Sequence, residues 1–347
     1  MYNQTRVVGA CVTGPSHIVA GQGCDDAFAW RQFGDSTLVL AAADGAGSVS
    51  GTSAWGSWAA TQFVTSLPVA RNLLLDLTAT NGTTESAEPI LRLLFSGALQ
   101  HVAYHTRRKG LTLRETSTTL VVAVSTPERT WIAQIGDGIV AIPDGHRART
   151  ILVEEKGDHA ATDTTFLQAL ANSPMSSAFQ CVALEPVAAV ALSTDGLRYQ
   201  ATWVNQNYAA APGFFEAMWR NVDKGLSAAE LRDFLGGLPL ESDHPRDDKT
   251  LVMAVRAREE DPAWRDEMSG RSRWYASRQP PTPMQTSRGE DSTVDVSTTT
   301  QPPAATPKLD QVGASVVVPP TRGASEGAAE PVAGDADFLP GPAGTHQ

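Results

Sequence analysis

Five times along this chain a short apolar stretch begins or ends on aspartate, and that pattern narrows the folds open to it. Residues 38–43 run into Asp44-Gly45-Ala46-Gly47-Ser48, residues 131–135 into Gly136-Asp137-Gly138, and residues 187–193 into Thr194-Asp195-Gly196. Asp25-Asp26 and Asp247-Asp248 stand just before further apolar stretches. A single Asp-Gly is an ordinary turn pair, because Gly takes positive φ and Asp bonds its own backbone. Five such sites next to strongly apolar strands ask for more than turns. If the strands are neighbours, their carboxylates converge at one end of the sheets. There they repel unless protons or cations neutralise them.

The apolar stretches read as strands at 6–13, 27–33, 37–43, 118–125, 130–142, 150–154, 180–184, 188–193 and 250–256. Helical patterns occupy 52–65, 89–108, 164–171, 213–222 and 228–235, with Ser227 as the N-cap of the last. The strands come in hairpin-like groups and do not alternate one-for-one with helices. That order predicts an α+β fold of mostly antiparallel sheets covered by helices.

Composition sets the domain limits. Beyond residue 276 there are 11 of the 22 prolines, no Trp, no Tyr and one Phe. Such a segment cannot bury enough apolar surface to offset its ordering entropy, so 277–347 is expected to be a disordered Pro/Thr/Ala-rich tail. Residues 259–276 read as a short charged helical segment, and 1–258 as one large domain without an internal linker. The net charge of −11 argues against nucleic-acid or anionic-membrane partners, which want a basic face. No apolar run reaches the roughly 20 residues of a membrane span, and no signal region opens the chain. Three widely spaced cysteines make neither a disulfide framework nor a thiolate zinc site, so the expected location is cytoplasmic.

Oxygen-only ligand sets suit hard cations such as Mg2+ and Mn2+, and two such ions sharing a carboxylate form a hydrolytic arrangement. Other phosphate chemistries fail on inspection. No cysteine has an arginine six positions on, as a cysteine phosphatase needs: those positions hold His17, Trp30 and Val187. Residues 45–52 are Gly-rich but lack the spacing and lysine of a P-loop. His101 and His105 share a helix face at zinc-like spacing, but no Glu follows His101, and they read as satisfied or surface histidines.

Taken in order, these residues resemble the metal-dependent Ser/Thr protein phosphatases of type 2C, in their bacterial form. The matching pieces are Asp25-Asp26-Ala27, Asp44-Gly45-Ala46-Gly47, Ser117-Thr118-Thr119, Gly136-Asp137-Gly138, Ser193-Thr194-Asp195-Gly196 and Asp247-Asp248-Lys249-Thr250. The resemblance implies a central sandwich of two antiparallel sheets flanked by helices, in four layers αββα. It implies that Asp44 bridges two Mg2+ or Mn2+ ions. Asp195 and Asp247 would complete the first site, and the Gly45 carbonyl with Asp25 the second. Asp137 would hold a weaker third ion together with Asp195. Asp26 and Asp248 would support the ligands from behind, Asp248 standing where the family has Asn. The implied reaction is attack of metal-activated water on phosphoserine or phosphothreonine, with partner-kinase substrates as the phosphoproteins.

One departure stands out. The family commonly carries an arginine a few residues before its Glu-Asp pair to hold the phosphate, and residues 14–24 contain none. His17 is the nearest polar candidate, either to contact phosphate or to protonate the leaving oxygen. The other reading makes it a loop histidine bonded to backbone. The missing arginine also leaves open a low-activity regulator that binds phosphorylated partners on the same fold, and, more remotely, a phosphatase of small metabolites.

Overall fold

Strict alternation along 37–43 decides how the layers form. In this computed structural model, which describes residues 4–34, 36–46, 51–80, 82–152, 164–173, 177–238 and 247–257, Leu38, Leu40 and Ala42 face a second sheet while Val39, Ala41 and Ala43 face helices. A strand has period two, so an apolar run without polar breaks must be covered on both sides. Burying one such leucine contributes roughly 1.5–3 kcal/mol.

The elements in chain order are β1 (Gln4–Val12), α1 (Pro15–Val19), β2 (Ala27–Phe33), β3 (Thr37–Ala43), α2 (Ala54–Ser66), α3 (Pro68–Thr78) and α4 (Thr84–Arg108). Then follow β4 (Leu120–Ser125), β5 (Thr130–Ile135), β6 (Ile139–Asp144), β7 (Arg147–Ile151), α5 (Ala169–Asn172), β8 (Gln180–Leu184) and β9 (Ala189–Ser193). The last are α6 (Arg198–Ala201), β10 (Thr202–Trp203), β11 (Ala209–Ala210), α7 (Phe214–Asp223), α8 (Ala228–Gly237) and β12 (Lys249–Ala257). One five-stranded sheet has the order β1-β12-β9-β6-β7, the other β2-β3-β4-β5-β8, and β10 and β11 form a small ribbon. Among the described residues every strand pairing is antiparallel.

Phe28, Leu40, Val121 and Ile132 from one sheet meet Val140, Leu192 and Val252 from the other. Outside this shared core, α2, α3 and α4 cover the β3 sheet with Phe63, Leu74, Leu91 and Phe95. On the opposite side α7 and α8 cover the β12 sheet with Phe215, Trp219, Leu231 and Leu235. The molecule is therefore the four-layer α+β sandwich expected from the sequence.

The differences are local. Residues 130–142 are two strands in different sheets, not one. Gly136 takes φ of +106°, a conformation costly for other residues, and the chain leaves the β5 sheet there to enter the β6 sheet. The helix read at 89–108 starts five residues earlier, because Thr83 caps it by accepting the Ser86 amide at 3.3 Å. Pro89 forfeits one helical bond, which the long helix tolerates. α1 and α3 were not read from the sequence; each begins with Pro at its first position after an extended residue. Of the helix read at 164–171 only the last three residues are helical, within α5, which ends one residue later at Asn172. The segments 259–276 and 277–347 lie outside the described residues.

Candidate active site

β3 delivers Asp44 at its end, and two threonines brace it. The Asp44 amide donates to Thr119 Oγ1 at 2.9 Å, the Thr119 amide donates to the Asp44 carbonyl at 2.8 Å, and Thr118 Oγ1 donates to that carbonyl at 3.0 Å. Asp137 comes from the turn between β5 and β6, and Asp195 from the 3-10 turn after β9. Each of Asp44, Asp137 and Asp195 offers a carboxylate oxygen within 4.8 Å of the others. Burial, then the charges of Asp26, Asp195, Asp247 and Asp137, hold Asp44 well above the usual carboxylate range. Asp247, just ahead of β12, is raised by burial and by Asp248 against a hydrogen bond from the Asp248 amide.

Asp25 and Asp26 lie just before β2 and point to different partners. Asp25 Oδ2 accepts Ser53 Oγ at 2.7 Å. Its backbone carbonyl accepts Ser57 Oγ at 2.5 Å and the Gly45 amide at 3.2 Å, which seats Gly45 against Asp25. Asp25 Oδ1 is buried and finds no hydrogen-bond partner among the described residues. Burial raises Asp25, with Ser53 and His17 opposing. Asp26, 3% exposed, accepts Thr194 Oγ1 at 2.7 Å. Burial and Asp248 push it well above the carboxylate range.

Asp248 ties this region together. Its Oδ1 accepts the Gly14 amide at 2.6 Å and lies 3.0 Å from His17 Nδ1, and its Oδ2 accepts the Asp25 amide at 2.5 Å. His17 is buried in α1 and thus bonds a carboxylate side chain; its Nε2 lies 4.0 Å from Asp25 Oδ2. Gly196 is needed for close approach, since a Cβ there would stand 1.8 Å from the Asp248 carbonyl.

The residue that sequence reasoning missed is Arg198. Its Nη2 lies 2.5 Å from Asp137 Oδ2 and 3.2 Å from Asp195 Oδ2. Burial opposes its charge, but Asp195 and Asp137 overcome this and raise its pKa. The available signal was helical spacing: Arg198 follows Asp195 by three positions and shares its face. The cysteines stay out of the chemistry. A hydrogen bond with Cys11, then burial, then the Asp26 charge hold the Cys24 thiol far above its ordinary range, so it is no nucleophile.

The donors fit a hard divalent cation. All three clustered groups are carboxylates, burial and the surrounding acidic residues hold Asp44 well above the usual carboxylate range, and the buried Asp25 Oδ1 lacks a partner among the described residues. The family model described as Protein phosphatase 2C matches residues 13–236. Serine/threonine-protein phosphatase 3 of Escherichia coli (strain K12) is 30% identical over 270 residues, covering 73% of this chain and 98% of that protein. Among solved structures, a bacterial serine phosphatase aligns with a TM-score of 0.50 at 16% identity, over 74% of this chain and 100% of its own. Serine-threonine phosphatase 2C from Toxoplasma gondii aligns with a TM-score of 0.50 at 12% identity, over 74% of this chain and 96% of its own. A phosphatase on a two-sheet sandwich is the class that fold and site define. The chain belongs to the protein phosphatase 2C family of Ser/Thr phosphatases, hydrolytic enzymes that depend on metal ions. Among the described residues, no helix is long and apolar enough to cross a membrane.

Proposed function

We propose that this enzyme hydrolyses phosphoserine and phosphothreonine in proteins phosphorylated by a Ser/Thr kinase, using two divalent ions, Mg2+ or Mn2+. The observation that carries the reading is the meeting of the two assigned ligands Asp44 and Asp195, whose carboxylate oxygens lie within 4.8 Å of each other on separate turns. Asp44, Asp195 and Asp247 would hold one ion, and Asp44, Asp25 and the Gly45 carbonyl the other. Bound there, such ions would supply a lowered pKa for water and neutralisation of phosphoryl oxygens.

The chain's own residues do the positioning. Thr118 and Thr119 hold the backbone of Asp44, so its carboxylate is pre-placed. Ser53 occupies one oxygen of Asp25 and leaves the other without a hydrogen-bond partner among the described residues. Asp248 orients His17 through Nδ1. The opposite edge of the ring, Nε2, is the atom that protonates the departing serine or threonine oxygen.

Hydrolysis of a phosphothreonine peptide with Mn2+ tests the proposal. Asp44→Ala is expected to abolish turnover, and equal rates for both proteins would overturn the mechanism. His17→Gln is expected to lower kcat about 100-fold while leaving the number of bound Mn2+ ions unchanged. An unaltered kcat would remove His17 from the chemistry.

A further inference from the structure

The pair Asp137 and Asp195 already has a cation of its own. Arg198 Nη2 lies 2.5 Å from Asp137 Oδ2 and 3.2 Å from Asp195 Oδ2, and its side chain is only 13% exposed. Three neighbouring residues support the contact. Thr202 Oγ1 donates to the Arg198 carbonyl at 2.6 Å, which closes α6, and the guanidinium lies 5.7 Å from the Tyr208 ring centroid. Thr164 Oγ1 donates to the same Asp137 Oδ2 at 2.9 Å. That oxygen thus accepts two hydrogen bonds, and a metal ion reaching it would have to displace a donor. A guanidinium keeps its charge at any working pH, and it lies where two carboxylates would otherwise need a bound cation.

We infer that Arg198 stands in for a third metal ion: its guanidinium neutralises Asp137 and Asp195 and keeps a cation from binding between them. The inference rests on the two-ion reading of the neighbouring site. It goes beyond that reading in giving the chain a built-in limit on metal stoichiometry.

Calorimetric titration of the full chain with Mn2+, checked by electron paramagnetic resonance of the free ion, tests it without any activity assay. The parent protein is expected to bind two ions. Arg198→Gln, which keeps length and removes charge, is expected to bind one more, and Asp137→Asn on top of it to lose that ion again. Arg198→Lys, which retains a charge, is expected to stay at two. An unchanged ion count and unchanged affinities in Arg198→Gln would overturn the inference, as would a parent that already binds three. A parent that binds no Mn2+ would overturn the two-ion reading itself, and the inference with it. Should Arg198→Gln fail to fold by circular dichroism, Asp137→Asn in the parent decides: loss of an ion would make Asp137 a ligand in the native protein and overturn the inference, while two retained ions support it.

Discussion

Asp248 and Asp25 lie 223 positions apart in the chain and are joined by one hydrogen bond, from the Asp25 amide to Asp248 Oδ2 at 2.5 Å. The other oxygen of Asp248 accepts the Gly14 amide and faces His17 Nδ1. A single carboxylate at the head of β12 therefore fixes the loop that carries Asp25 and the short helix that carries His17.

Asp248→Ala leaves two amides without their acceptor inside the fold. Each orphaned buried donor costs about 1–3 kcal/mol, so a loss of about 3 kcal/mol in unfolding free energy is expected by urea titration. Because Asp248 orients a candidate ligand from behind, Mn2+ affinity should also fall about 10- to 100-fold. A variant with parental Mn2+ affinity would show that Asp25 holds its place without this bond.

The raised carboxylates set a pH dependence. Asp26, Asp44 and Asp247 all sit above the ordinary aspartate value of 3.8, in each case first through burial. Above that value the unfolded chain releases protons that the metal-free native state keeps. The native state then binds more protons, and its stability falls as pH rises through the window between the unfolded and folded values. Mn2+ binds the ionised forms and reverses the loss. The gap in melting temperature between Mn2+-loaded and EDTA-treated protein should widen from about pH 5 to about pH 8. Asp26→Asn should stabilise the EDTA-treated protein at neutral pH and lose that advantage toward about pH 4. A gap independent of pH would contradict this account of the cluster.

Gly196 answers to packing rather than chemistry. A Cβ at this position would meet the Asp248 carbonyl at 1.8 Å, a backbone atom that cannot swing aside. Gly196→Ala is expected to cost about 3 kcal/mol or more, by thermal or denaturant unfolding. It should also weaken Mn2+ binding, because Asp195 and Asp247 adjoin the two residues, Gly196 and Asp248, that the new Cβ would force apart. A neutral Gly196→Ala would mean that the turn after β9 can move freely.

The two histidines of α4 give a check remote from the site. Burial and the neighbouring His105 lower His101 to about 4, and the two rings lie 4.6 Å apart. The unfolded chain, with an ordinary histidine near 6.5, takes up the proton first as pH falls. His101 thus removes stability between these values on acidification and none above them. Its imidazole signals in NMR should titrate near pH 4; a midpoint near the ordinary value would show that the ring is solvated.

Much of the fold could be read locally. β2, β3 and β8 begin and end where the apolar alternation does. The start of α8 was legible because Ser227 and Glu230 satisfy each other's amides within one turn. The 130–142 stretch was misread because both halves are equally apolar. Only the Gly136 backbone reveals that they belong to opposite sheets. Residues 68–78 were missed because their helix follows α2 after a single extended residue, Leu67.

The aspartates at the strand ends were fixed by sequence alone, because an apolar strand that must be covered on both faces leaves its polar residues to its ends. Their meeting was decided by tertiary structure. Asp44, Asp137 and Asp195 come from separate turns, and only the stacking of the two sheets places their oxygens within 4.8 Å. The same holds for the groups that manage their charge. Arg198 reaches Asp137 across 61 positions, and Asp248 reaches Asp25 across 223. A local pattern shows which residues are polar, but repulsion and its relief act through space, and those distances exist only once the sandwich has closed.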